Sequence, residues 1–257
     1  MGAFSFDTSA RSALGLVRSG NEDSALVTGR LIAVADGMGG HAAGEIASKI
    51  AITTLHALAP VLTDTTIDSD SIEDLLLHSL HTIDLNISEY VKEASDLRGM
   101  GTTLTALLIN AETIALLHVG DSRCYRLRSN NLEQLSNDHT VIQELIDQGA
   151  ISLIEAKDHP QRSVLTQALM GDGNIDPVLQ VYDAKEGDRY LLCSDGLSGV
   201  LTEKEIKTLL KTGDKEAAIK SLIDATYVNG APDNVTVLIA DVTRDEVSAN
   251  QLLGAAQ

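Results

Sequence analysis

The spacing of apolar and polar positions changes period several times along the chain. "FSFDTSARSALGLVRSGNEDSALV" alternates well enough to predict two edge strands, and the unbroken "RLIAVA" predicts a buried strand ending at Asp36. Residues 43–58 place Ile46, Ile50, Leu55 and Leu58 at near-helical spacing, with the stop expected at Pro60. After a polar loop over 60–70, Ser71 and Asp74 resemble a capping box that opens a long helix to about residue 95. From 102 to 136 the period returns to two: "TTLTALLIN", "TIALLHVG", "SRCYRLRS" and "LEQLS" predict an antiparallel meander. Between Asp138 and about Asp176 the pattern is irregular, with a short helix near 140–148, and reads as a mobile flap. "RYLLCSDG" predicts a strand, residues 203–211 and 214–228 two helices, "NVTVLIADV" a last strand, and residues 244–257 a loose tail. Short strands with hairpin-like connections beside long helices predict the α+β class, with packed sheets and helices outside.

Four apolar runs meet an acid. Asp36 closes "LIAVAD", Asp121 closes "IALLHVGD", Asp195 closes "YLLCSD", and Asp233 precedes "NVTVLIAD". One Asp beside a strand is an ordinary turn residue. Several, on strands whose ends a sheet system can bring to one place, point to oxygen-only ligands for hard cations such as Mg²⁺ or Mn²⁺. Glycine beside the Asp lets a backbone carbonyl approach the ion, so a two-metal hydrolytic centre is expected. "LGLVRSGNEDS" adds Arg18, whose planar donor fork matches phosphate oxygens, and Glu22 and Asp23 as further anionic oxygen. The glycines after Asp36 do not make a nucleotide cradle: Glu45 and Ile46 follow Gly44 where a Walker loop needs Lys and Ser/Thr, and no acid suited to a ribose stands about 20 residues on.

Composition narrows the partners. At 257 residues the chain can bury a core without disulfides, and 19 basic against 37 acidic residues leave a formal charge of -18. That charge opposes nucleic acid and anionic bilayers, although bound cations would offset part of it. Cys124 and Cys193 lie in predicted strands and read as buried, inert thiols suited to a reducing cytoplasm. The longest apolar region, "LTALLINAETIALLHVG", is interrupted by Asn110 and Glu112, and no membrane span or secretion signal is expected.

Taken together, Arg18 with Asn21-Glu22-Asp23, "VADGMGGH" from Val34, "GTT" from Gly101, "GDSRCYRL" from Gly120, "SNDHT" from Ser136, "CSDGL" from Cys193 and "APDNVT" from Ala231 resemble the ordered motifs of the metal-dependent PP2C-type (PPM) serine/threonine phosphatases, bacterial branch. The resemblance runs from about residue 8 to 242 and implies a phosphatase domain over 1–243, with the flap at about 138–176 and the tail at 244–257. It implies an α-β-β-α sandwich of two antiparallel sheets. It also implies hydrolysis of protein phosphoserine and phosphothreonine by a metal-bridging water or hydroxide, without a phosphoenzyme intermediate. Asp36 would bridge two Mn²⁺ or Mg²⁺ ions, with Asp195 and Asp233 completing one site and Glu22 and the Gly37 carbonyl the other. Asp23 would act through a bound water, Asn234 would orient its neighbour, and Asp121 with Asp195 would form a weaker third site. Arg18 would hold phosphate. The implied partners are phosphorylated proteins, among them a Ser/Thr kinase, and the implied state is a monomer.

One departure concerns the leaving-group acid: Met38 stands where many eukaryotic members carry His, and a thioether cannot donate a proton. His41 is a candidate for substrate contact or proton relay, Arg162 for a flap contact with substrate; otherwise a metal-bound water must act as the acid. Cysteine-phosphatase chemistry is excluded, because Asn130 and Gly199 occupy the positions six after Cys124 and Cys193 where Arg is required. His78 and His81, three apart, lack a third ligand. A PP2C-like binding module without catalysis is the alternative, marked by lost ligands, and every expected acid is present. A two-metal nuclease fits neither the charge nor the absence of a basic strip.

Overall fold

The computed structural model describes residues 3–39, 43–64, 66–156 and 159–257, so the candidate His41 lies outside the described residues. In chain order the strands are β1 (Ser5–Ala13), β2 (Asp23–Thr28), β3 (Leu31–Met38), β4 (Gly101–Thr102), β5 (Leu104–Asn110), β6 (Thr113–Val119), β7 (Arg123–Arg128), β8 (Asn131–Gln134), β9 (Val178–Asp183), β10 (Arg189–Cys193), β11 (Val235–Thr243) and β12 (Asn250–Gly254). The helices are α1 (Ala43–Leu62), α2 (Ser69–Glu93), α3 (Val141–Asp147), α4 (Leu153–Ala156), α5 (Asp195–Ser198), α6 (Glu203–Leu209) and α7 (Lys215–Val228). One antiparallel sheet is ordered β1-β11-β10-β7-β8, the other β12-β2-β3-β5-β6-β9, with β4 paired to the end of β3.

The unbroken apolar runs follow from this layering. Along β3, Leu31, Ala33 and Ala35 face the core under α1 and α2, while Ile32 and Val34 face the core between the sheets. β10 does the same in the other sheet: Tyr190 and Leu192 point between the sheets, Leu191 and Cys193 toward α5, α6 and α7. A strand covered on both faces has no polar side to display. Each fully buried aliphatic side chain contributes about 1.5–3 kcal/mol, so the central strands are the least movable part of the molecule. Their ends carry the candidate acids.

Several elements differ from expectation. Helix α1 runs past Pro60 to Leu62, and Thr63 N still donates to Ala59 O at 2.9 Å, because a proline in the last turn forfeits little more than its own N–H bond. The same helix is long and apolar enough to cross a membrane by composition, but Ala47, Ala51, Ile52 and Leu55 pack into the core against β3 and α2. Helix α2 opens at Asp68 rather than Ser71: the Asp68 carboxylate accepts from Ser71 N at 3.0 Å and Ser71 Oγ at 2.8 Å, so Ser71 is donor, not cap. The expected meander is split between the sheets. The β5–β6 hairpin lies in one and β7–β8 in the other, and the chain crosses at Gly120-Asp121-Ser122. Gly120 has φ +104° and would place a Cβ 2.5 Å from Thr103 Cγ2, so only glycine makes this crossing without strain. Finally, the segment read as a loose tail contains β12, which pairs with β2 and removes β2 from the sheet edge; β1 is an edge strand as expected.

Candidate functional site

Strand pairing sets Asp23 at the end of β2 directly opposite Asp36 on β3. Asp121 arrives on the crossing between sheets, Asp195 opens α5 immediately after β10, and Asp233 precedes β11. Their charges act on one another. Burial pushes the Asp36 carboxyl well above the usual carboxylate range, and Asp23, Asp195, Asp121 and Asp233 push it further. Asp36 keeps some exposed surface, so its carboxyl is packed closely without being sealed off. Asp195 is raised by burial and then by Asp233, against a hydrogen bond shared with Asp36. Burial takes Asp121 up to about 7, with Asp195 and Asp138 adding to it. Asp23 also reaches about 7: burial dominates, hydrogen bonds from Thr236 and Ser194 oppose it, and Asp195 and Asp233 add repulsion. Glu22 is raised chiefly by burial, with Arg18 pulling the other way.

The backbone around these acids is tightly held. Thr103 clamps Asp36, its Oγ1 accepting from Asp36 N at 3.0 Å and its N donating to Asp36 O at 2.9 Å, while Thr102 Oγ1 donates to Asp36 O at 3.0 Å. A Cβ on Gly37 would lie 2.1 Å from Gly44 O and 2.6 Å from Glu22 O, and one on Gly44 would lie 2.7 Å from Glu22 Oε2. The two glycines therefore let the start of α1 and the Glu22 loop close on the end of β3. Asn234 ties the loops together: its Oδ1 accepts from Glu22 N at 2.9 Å, and its Nδ2 donates to Leu14 O at 2.9 Å and Gly20 O at 3.0 Å. Arg18 Nη2 meets Asp233 Oδ2 at 2.6 Å with half of its side chain exposed.

These donors fit hard divalent cations. They are oxygen atoms only, they repel one another, and the buried Asp23 Oδ1 has no hydrogen-bond partner although its Oδ2 accepts from Ser194 Oγ at 2.8 Å. No three His, Cys, Asp or Glu side chains among the described residues close on a single point by themselves. That arrangement suits ions that keep waters and use a backbone carbonyl, rather than an all-carboxylate cage.

The fold thus brings Asp23, Asp36, Asp121, Asp195 and Asp233 to one region, with Glu22, Gly37 and Arg18 at its margin. Arg162 is exposed on the flap, its backbone N donating to His159 O, and its side chain makes no hydrogen bond or ion pair among the described residues. The flap is less free than its irregular pattern suggests: Asp84 on α2 accepts from Gly171 N at 2.7 Å and Gly173 N at 2.8 Å, and Leu169 bridges to Thr102. The sequence reading assigned no role to Ser12 and Asp84, polar residues that no pattern sets apart, nor to Ser194 and Thr236, which stand inside the quoted motifs. Arg123 grips Asp138 through Nε at 3.0 Å and Nη2 at 2.7 Å, joining "GDSRCYRL" to "SNDHT". A cavity of about 400 Å³ lies beside Asn21, lined by Ser12, Glu45, Lys49, Leu253, Gly254, Ala255 and Gln257, and includes none of the candidate ligands.

Comparison with known proteins matches a protein phosphatase 2C family model over residues 21–225. The chain is 44% identical over 236 residues to the serine/threonine protein phosphatase PstP of Mycobacterium tuberculosis, covering 91% of the chain and 44% of that protein, so it spans less than half the length of this relative. It is 35% identical over 240 residues to the serine/threonine phosphatase stp of Listeria welshimeri, covering 90% of the chain and 94% of that protein. The crystal structure of the PstP catalytic domain in complex with two manganese ions is 40% identical, covers 93% of this chain and 99% of that one, and superposes with a TM-score of 0.84.

Proposed function

Because this chain belongs to the protein phosphatase 2C family, we propose that it hydrolyses phosphoserine and phosphothreonine esters on proteins with the aid of bound Mn²⁺ or Mg²⁺. The carrying observation is the buried pairing of Asp23 with Asp36 among further acids, with one Asp23 oxygen unsatisfied, a repulsion that bound cations would relieve. Asp36 would lie between two ions, Asp195 and Asp233 serving one, Glu22 and the Gly37 carbonyl the other. Asp23 would reach its ion through a water, and Asn234 holds the Glu22 loop in place. Asp121 with Asp195 would take a third, weaker ion. Bound divalent cations supply Lewis acidity, acidifying a water and offsetting the charge of the phosphoryl oxygens.

Arg18 grips the phosphate. Its Asp233 contact orients the guanidinium, and its exposed half leaves donors for phosphoryl oxygens. Attack by water, without a phosphoenzyme, is the route that bound cations support, and a phosphocysteine is ruled out because Cys124 and Cys193 are buried, burial pushing Cys193 up to about 12 and Cys124 higher still. Since Met38 cannot protonate the leaving alcohol, a metal-bound water would do so; His41 would contact substrate or relay protons, and Arg162 would contact substrate from the flap. All these groups come from one chain, so a monomer suffices. A Ser/Thr kinase that makes the phosphoproteins is both the opposing activity and a natural substrate, and unpaired cysteines suit the cytoplasm. The test is turnover of p-nitrophenyl phosphate and a phosphothreonine peptide with Mn²⁺ and with EDTA. Turnover of both that EDTA abolishes and Mn²⁺ restores is expected. Turnover unaffected by EDTA, or none with Mn²⁺, contradicts the proposal.

A further inference from the structure

We propose that β12 and the two residues after it brace Asp23, so that residues 250–256 set the affinity of the site for divalent cations; the inference rests on the metal-dependent reading above. β12 pairs with β2 from Asn250↔Thr28 to Gly254↔Ser24, one residue short of Asp23. The contact then continues: Ala255 N donates to Asp23 O at 2.8 Å. On the other side of the same residue, Asp23 N donates to Asn21 Oδ1 at 3.2 Å, and Asn21 Nδ2 donates to Ser12 Oγ at 2.8 Å. Both backbone polar groups of Asp23 are therefore committed, one of them to the β12 segment.

The approach is close enough to need glycine. Gly254 has φ +67°, and a Cβ there would lie 2.1 Å from Asp23 O and 3.2 Å from Ser12 Oγ. The segment is anchored on both faces of its sheet: Leu253, 6% exposed, enters the core between the sheets, and Ala256, 4% exposed, enters the core under α1. The Asp23 side chain is held through one oxygen, Oδ2 accepting from Ser194 Oγ at 2.8 Å, while Oδ1 has no partner. Its aim follows its backbone, and the backbone is held by β12. Because Asp23 faces Asp36 across the β2–β3 pairing, slack in one is passed to the other.

An edge strand also adds plain stability, so the test must separate bracing from folding. Gly254→Val pushes directly on Asp23 O. Leu252→Ser removes packing against the core under α1 but leaves the Ala255–Asp23 bond. The full chain, stripped with EDTA and dialysed, is titrated with Mn²⁺ by calorimetry, and each variant is also melted. The expected result is that Gly254→Val weakens Mn²⁺ binding about tenfold, the usual scale when a group that holds a metal's bound water, here Asp23, is displaced. Leu252→Ser lowers Tm while its Mn²⁺ affinity stays within about twofold of the parent, since it touches no such group. If Gly254→Val does not fold, Ala255→Pro, which removes the donor to Asp23 O and sets a ring carbon against that oxygen, is read in the same way. Parental Mn²⁺ affinity in the folded Gly254 or Ala255 variant overturns the brace, as does equal weakening by Leu252→Ser. A parent chain that binds no Mn²⁺ overturns the metal-dependent reading instead, so the two failures are distinct.

Discussion

Strand β10 has a buried acid before its first residue and the acid cluster after its last, and the two ends are built on opposite principles. At the start, Asp188 is 2% exposed and fully answered: Arg128 Nε and Nη2 reach its two oxygens at 2.7 and 2.6 Å, and Lys185 N donates at 2.9 Å. Close by, Arg189 pairs with Asp241 at 2.7 and 2.8 Å. At the far end, Asp195 joins Asp36, Asp121 and the fully buried Asp23, and among the described residues the guanidinium in hydrogen-bond contact with the cluster is Arg18, on Asp233. Where an acid only supports the fold, the protein supplies the counter-charge itself. Where acids are left to repel one another, folding is penalised unless a cation arrives, and that penalty marks the functional end of the strand.

The comparison can be broken from either side. Asp36→Asn should lower Mn²⁺-dependent kcat/KM by about a thousandfold, roughly 4 kcal/mol at the transition state, while the metal-free protein melts no lower than the parent because one repelling charge is gone. Retention of more than about a tenth of the activity would break the assignment. Arg128→Ala should do the reverse: leaving Asp188 buried and unpaired costs about 3–5 kcal/mol in denaturant unfolding, with the Mn²⁺ concentration for half-maximal turnover unchanged. Arg18→Ala should raise KM for p-nitrophenyl phosphate about tenfold with a smaller change in kcat, since the guanidinium holds phosphoryl oxygens in ground and transition states alike.

The smallest effect is one of pH. Asp23 rises from 3.8 to about 7 on folding, and Asp36, Asp121 and Asp195 are raised as well. Native acids with raised pKa hold protons that the unfolded chain has released, so this contribution is full below about pH 4 and is lost as pH rises through about 7. EDTA-treated protein should therefore lose a few degrees of Tm between about pH 5 and 8, and Mn²⁺ should recover more at the higher pH, where protons no longer compete for the carboxylates. An equal Mn²⁺ gain at both values would mean that the ions bind elsewhere.

Much of the acid end is legible in the chain, because Asp36, Asp121 and Asp195 each terminate an apolar run that both-face burial keeps unbroken. The motifs supply roles that spacing alone does not. What stays hidden is whatever depends on partner choice. β6 and β7 read alike whichever sheet they join, so the crossing that delivers Asp121 leaves only Gly120 as its trace. "NQLLG" is too short and too exposed to announce β12, and its pairing is decided by β2 rather than by its own pattern. Asp68 and Ser71 are both good cap residues, and the carboxylate prevails because it can accept from both the Ser71 N–H and its hydroxyl.

The central claim is that the unpaired acids after β10 exist to hold two cations about Asp36. Anomalous diffraction from crystals grown in Mn²⁺ tests it most directly. Two strong peaks should flank the Asp36 carboxylate, one toward Asp195 and Asp233 and one toward Glu22 and the Gly37 carbonyl, each about 2.0–2.4 Å from its oxygen ligands. The absence of any peak within that distance of Asp36, with Mn²⁺ bound elsewhere or not at all, would contradict the account.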